Sequence, residues 1–223
     1  MRLLEIKPPK TDAEVVSTAA LLLNECKPFL SQINFDVHTY RMWRGLSKVF
    51  PNSISIVKCP KNRYPRDTMT DIHDAANNYF QQEFGIKFRS DSFFVTGSEK
   101  EAAMYGLEAG GTEYMIFPRG PFQFCWSPVL NDFYQGTEEG LNWPDDFDPE
   151  EMDGDEVDAW YEQHVFEFCK HARYTSHQLQ NAILSTHEIM VHCQTAYFLS
   201  ADAFTLKMAA IGDLIRTAVK KAA

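Results

Sequence analysis

No stretch of the sequence approaches the roughly 18 consecutive apolar residues that a membrane span needs. The opening residues Met1 to Ile6 carry no long apolar run and meet acids and prolines at once, so the chain reads as unexported and free of membrane. Five cysteines (Cys26, Cys59, Cys125, Cys169, Cys193) are scattered, odd in number and without a C-x-x-C pair. A disulfide scaffold is therefore not expected, and reduced core thiols in a reducing compartment, the cytoplasm, are the expectation. There is no internal repeat. No G-x-G-x-x-G follows a strand pattern and no G-x-x-x-x-G-K-[ST] occurs, which removes the Rossmann and P-loop routes to nucleotide binding. Basic residues are also missing locally. Between Gly120 and Cys169 there are fourteen acids and no Lys or Arg.

What remains is a chain of 223 residues, 44% hydrophobic, enough apolar material for one domain with its own core over 1–223. The net charge of −10 resides in the acidic stretch; the rest carries 21 bases against 17 acids. A mildly basic body with an acidic insertion (about 131–180) is expected, its Gly136 to Gly154 part reading as an exposed, self-repelling loop.

Periodicity supplies the elements. Thr11-x-x-Glu14 spells a capping box before a helical run through Cys26, with Pro28 as its stop. Ile33 to Trp43 and Ser53 to Cys59 read as strands. Thr68 opens a helix with Ile72, Ala76, Tyr79, Phe80 and Phe84 on one face, and Gly85 is placed to end it. Phe93 to Val95 reads as a buried strand and Glu99 to Gly106 as a short helix. Tyr114 to Phe117 and Phe122 to Trp126 read as strands around a Pro118-Arg119-Gly120-Pro121 turn. Val157 to Lys170 is helical, Ile189 to Leu199 a strand, and Ala203 to Lys221 an amphipathic terminal helix. This irregular mixture implies an α+β fold.

Three segments carry the chemistry. They are Trp43-Arg44-Gly45, then Phe94-Val95-Thr96-Gly97-Ser98 with Ala102, Ala103 and Tyr105, and finally Glu188-Ile189-Met190-Val191 with Tyr197-Phe198. In kind and order they resemble the Arg-Ser-Glu class of mono-ADP-ribosyltransferases. That family has an aromatic-Arg-Gly strand end, a Phe-x-Ser-Thr-Ser strand end before a short helix, and a Glu opening a later strand. The resemblance implies two small packed β-sheets framing an NAD⁺ cleft, with peripheral helices and the acidic insertion. It implies transfer of ADP-ribose from NAD⁺ to a macromolecular acceptor, protein or nucleic acid, with loss of nicotinamide. Arg44 would bind the pyrophosphate; Gly45, Phe94, Gly97 and Tyr105 would line the cofactor site. Thr96 and Ser98 would organise the ribose, and Glu188 would be catalytic.

The residue types suit that chemistry. Breaking the nicotinamide–ribose bond builds positive charge on the anomeric carbon, as in glycoside cleavage. A carboxylate holding the neighbouring 2′-hydroxyl stabilises that charge as it develops. A planar guanidinium fork matches a pyrophosphate, where Lys would offer only a point charge. Two departures stand out. Thr186 occupies the position where arginine-modifying members carry a second Glu, which argues against arginine as acceptor. The Asn131 to Ser185 spacer is also long. An NAD⁺ glycohydrolase and a non-catalytic module whose acidic insertion meets a basic partner are the alternatives.

Other residues point less far. His164, Cys169, His171, His177, His187, His192 and Cys193 crowd the last third without a zinc spacing, and Asp145 to Asp158 breaks the EF-hand register, so no metal is expected. Ser127 and Asp132 sit just past a strand end, where a site rim is possible. Arg63, Arg66 and Arg89 flank the helix before Phe93 and read as a solvated basic face, with phosphate contact as the alternative.

Overall fold

In the computed structural model, residues 12–108, 110–141 and 153–222 are described. Helix α1 (Ala13–Glu25) starts where the Asp12 carboxylate accepts the Glu14 N–H at 3.0 Å, and it ends at Cys26. Thr11, the expected cap, lies outside the described residues. Pro28 does not stop this helix; it sits in the first turn of α2 (Lys27–Gln32), where its missing N–H costs nothing. Of the strand expected over Ile33 to Trp43 only Trp43 lies in one, β1 (Trp43–Leu46); residues 33–42 are turn and irregular chain. Asn34 and Phe35 take positive φ, and the Asp36 carboxylate accepts the His38 and Thr39 N–H groups, a local turn that competes with strand pairing.

Strand β2 (Ile54–Lys58) follows, then α3 (Thr70–Phe84), which Gly85 ends at φ 74° as expected. Next come β3 (Phe93–Val95) and α4 (Glu99–Glu108). The two strands expected around the Pro-Arg-Gly-Pro turn are one, β4 (Thr112–Trp126), whose register on its neighbour shifts between Arg119 and Phe122. Two prolines without N–H groups and Gly120 at φ 65° bend the strand instead of reversing it. Helices α5 (Phe133–Gly140), α6 (Gly154–His171) and α7 (Leu179–Ser185) precede β5 (Ile189–Ser200). The terminal helix is broken into α8 (Ala201–Phe204), a 3₁₀ turn and α9 (Met208–Ala222).

The fold is α+β, built on one antiparallel sheet of order β1-β4-β5-β2, with β3 also paired to β5. The expected two sheets are joined because β4 and β5 run the length of both halves, paired from Tyr114↔Ser200 to Trp126↔Ile189. Backbone bonds between Trp43 and Thr96 (2.7 and 2.9 Å) then link β1 to the end of β3, closing the path β1-β4-β5-β3 on itself.

Strand alternation separates two cores. Trp43, Phe93, Val95, Phe124, Trp126, Ile189 and Val191 pack with α1, α2 and α9 residues such as Leu22, Phe29 and Ile211. Phe94, Cys125 and Met190 face the other way, toward Phe80 and Phe88 and toward Phe133, Tyr161 and Val165. The acidic insertion thus supplies apolar side chains to the second core. Gly136 to Gly140 is helical with Thr137 buried, and added Cβ atoms at Gly136 and Gly140 would meet the Phe168 ring, so this part is no exposed loop. Residues 142–152 lie outside the described ones, and so does most of the calcium-like segment. All five cysteines are free and buried.

Candidate functional site

The alternation that sends Trp43, Phe93 and Ile189 into the first core sends Arg44, Phe94 and Glu188 to the opposite side of the sheet. Two strand positions, Arg44 on β1 and Phe94 on β3, therefore meet Glu188, the residue just before β5, at one place. Arg44 Nη1 donates to the Phe94 carbonyl at 2.6 Å, and the Arg44 guanidinium lies within electrostatic reach of Glu188. Burial pulls the Arg44 pKa down to about 10, against the stabilising pull of Glu188.

Glu188 is fixed from both sides. Its N–H donates to the Asn131 carbonyl at 2.7 Å, and its Oε1 accepts from Arg89 Nη1 at 2.9 Å. The two side chains keep only 6% (Arg89) and 15% (Glu188) of their exposure, so this is a buried ion pair. Such pairs cost desolvation and are weak stabilisers, which turns attention to function. Burial pushes the Glu188 pKa up, with Asp132 adding to the rise and Arg89 and Arg63 opposing it. Glu188 Oε2 has no hydrogen-bond partner among the described residues.

Arg63 and Arg89 do not form a solvated face. The guanidinium carbons of Arg63 and Arg89 lie 3.7 and 4.4 Å from the Phe94 ring centroid, and Arg89 is also 4.3 Å from that of Phe133. Arg63 Nη2 donates to the Arg89 carbonyl at 2.9 Å. Burial, then the neighbouring Arg44 and Arg89 charges, pull the Arg63 pKa down to about 10. Arg66 alone of the three is exposed. Behind Arg89, Asn77 Nδ2 donates to Ser90 Oγ at 2.6 Å, Ser90 N–H donates to Asn77 Oδ1 at 3.2 Å, and His73 Nε2 lies 3.1 Å from the same hydroxyl. Sequence reading missed this support. Its signal was there: His73 and Asn77 stand four apart on the apolar face of α3, where unpaired polar groups are costly.

The Thr96-Gly97-Ser98 segment holds the site's walls. The Thr96 hydroxyl bonds the Thr186 carbonyl at 2.5 Å and accepts the Ser98 N–H at 3.1 Å. Ser98 Oγ accepts the Glu101 N–H at 3.2 Å and caps α4. A Cβ on Gly97 would stand 1.6 Å from the Ile183 carbonyl oxygen, and one on Gly45 would stand 2.1 Å from that of Ala102. Both glycines therefore admit neighbouring helices, α7 and α4. The face of Phe94 carries guanidinium groups, and Tyr105 stands exposed on α4 within electrostatic reach of Asp132 and Glu188, which raise its pKa after burial does. Ser127 Oγ is spent on structure, donating to the Ala172 carbonyl at the end of α6 and accepting the Val129 and Leu130 N–H groups of its own turn, whereas Asp132 lies within electrostatic reach of Glu188 and Tyr105.

Compared with protein-family models, with curated proteins and with solved structures, the chain matches none. Among the described residues there is no group of three or more His, Cys, Asp or Glu side chains placed to hold a metal, and no helix long and apolar enough to cross a membrane.

Proposed function

We propose that the chain cleaves the nicotinamide–ribose bond of NAD⁺ and transfers ADP-ribose to a macromolecule, protein or nucleic acid. The observation that carries this reading is the approach of Arg44 and Glu188 beside Phe94, all three partly buried, with Glu188 Oε2 unbonded among the described residues. The free oxygen suits a ribose 2′-hydroxyl, and a desolvated carboxylate acts strongly on charge developing at C1′. In the reaction the C1′–nitrogen bond breaks with its electron pair leaving on nicotinamide. An acceptor nucleophile forms the new bond to C1′ and loses its proton. Thr96 acts as a positioning residue in this scheme, since its hydroxyl fixes the Thr186 carbonyl two residues before Glu188. Thr186, in place of a second Glu, speaks against an arginine acceptor. Five unpaired cysteines suit the reducing cytoplasm.

Incubation with NAD⁺ labelled in the adenylate, together with a cell extract, tests the proposal. Label on a macromolecule and stoichiometric nicotinamide support transfer. Free ADP-ribose alone supports the glycohydrolase, and no consumption of NAD⁺ contradicts both.

A further inference from the structure

We propose that Arg63 and Arg89 join Arg44 in a single anion site whose ligand is a pyrophosphate group. This deepens the reading of these residues as an NAD⁺ site and rests on it for the identity of the nucleotide. Three guanidinium groups meet around Phe94, and Glu188 is the carboxylate that acts on all of them. Asp132 faces Glu188 and Tyr105 from the start of α5. Each guanidinium makes one hydrogen bond among the described residues: Arg44 to the Phe94 carbonyl, Arg63 to the Arg89 carbonyl, and Arg89 to Glu188. Among the described residues most of their donors are thus unspent, and Arg89, 5% exposed, keeps a buried Nε without a partner. Like charges brought together with partial desolvation are unfavourable unless an anion joins them. Planar forks match the paired oxygens of a phosphate. Arg44 and Arg63, half-buried, offer the accessible edge, while Arg89 adds charge from behind.

Titration with inorganic pyrophosphate and with ADP-ribose, followed by calorimetry at fixed ionic strength, tests this. Arg63→Gln should weaken both ligands by roughly 10–100-fold, the loss of a charge-assisted bond. Arg63→Lys should recover only part, and Arg66→Gln, an exposed change in the same loop, should leave both affinities unaltered. Arg89→Gln is scored only where its thermal unfolding matches the wild type, and Arg63→Gln decides otherwise. Wild-type affinity in Arg63→Gln, or equal losses in Arg63→Gln and Arg66→Gln, overturns the site. Absence of pyrophosphate binding by the wild-type protein also overturns it. Nicotinamide release from NAD⁺ is measured in parallel on the wild type. Its absence alongside Arg63-dependent pyrophosphate binding refutes NAD⁺ cleavage and keeps the anion site; its presence with an indifferent Arg63→Gln does the reverse.

Discussion

Gly97→Ala should damage the protein more than its size suggests. The added Cβ would lie 1.6 Å from the Ile183 carbonyl oxygen and 2.6 Å from its carbon, both backbone atoms of α7. Relief requires α7 and the β3–α4 turn to part by on the order of 1.5 Å, since a backbone contact cannot rotate away as a side chain does. Overpacking of this kind costs about 1–3 kcal/mol, and the backbone target puts this case at the upper end. The displacement also falls on the Thr96–Thr186 bond, two residues from Glu188. A shift of about 1 Å at a reacting group can lower turnover about 100-fold. Urea denaturation read by fluorescence gives the first quantity, and nicotinamide release on the folded protein gives the second. Gly154→Ala is the internal control: its Cβ meets nothing within 4 Å at the start of α6, so stability should stay level or rise by about 0.5–1 kcal/mol. A Gly97→Ala protein with the wild-type denaturation midpoint would refute the packing described here.

Arg44→Ala should weaken NAD⁺ binding by roughly 1.5–3 kcal/mol, with Arg44→Lys recovering part; equal affinity for all three proteins, measured by calorimetry, contradicts the role given to Arg44. The acid limb of kcat/KM for nicotinamide release should lie above 4.5, the ordinary glutamate value, because burial raises the Glu188 pKa and the ionised form is needed. Asp132→Asn, which keeps a capping side chain on α5, should move that limb down, and Arg89→Gln should move it up; shifts of the opposite sign reject Glu188 as the group titrating. Burial also lowers the His73 pKa from 6.5 to about 4, with the Arg89 charge adding to the effect. Between these values the unfolded chain binds the proton and the folded one resists it. Stability should therefore fall by roughly 3 kcal/mol as pH drops through that window. His73→Gln should lack this component, and identical pH slopes in the two proteins would rule it out.

Much of the fold was legible where periodicity was long. The helices α3 and α6 and the strand β5 fall where their apolar spacing puts them, and Gly85 ends α3 for the reason read from its position. The failures share a cause. Pro28 and the Pro118–Pro121 segment were read as breaks, but a proline is tolerated in a first helical turn and at a strand bend, and only tertiary context chooses. Continuity of the sheet depends on β4 and β5 pairing across the intervening residues 127–188, which no local pattern encodes. At the candidate site, Arg44 and Glu188 stood out by their motifs, whereas Arg63 and Arg89 read first as a solvated face, with phosphate contact as the alternative. Each lies in irregular chain, and the residues they meet, Phe94 on β3 for both and Glu188 just before β5 for Arg89, are distant in sequence. Thr96 and Ser98 were picked out as polar groups near a ribose; the structure gives their hydroxyls to the Thr186 carbonyl and to the α4 cap.

The most direct test of NAD⁺ cleavage at this site is nicotinamide release by Glu188→Gln, with NAD⁺ affinity measured on the same preparation. The amide keeps the shape of the side chain and removes its charge. Glu188 acts on charge that appears as the C1′–nitrogen bond breaks, so affinity should stay near wild type while turnover falls by roughly 10²–10³-fold. Wild-type turnover in Glu188→Gln would contradict the mechanism.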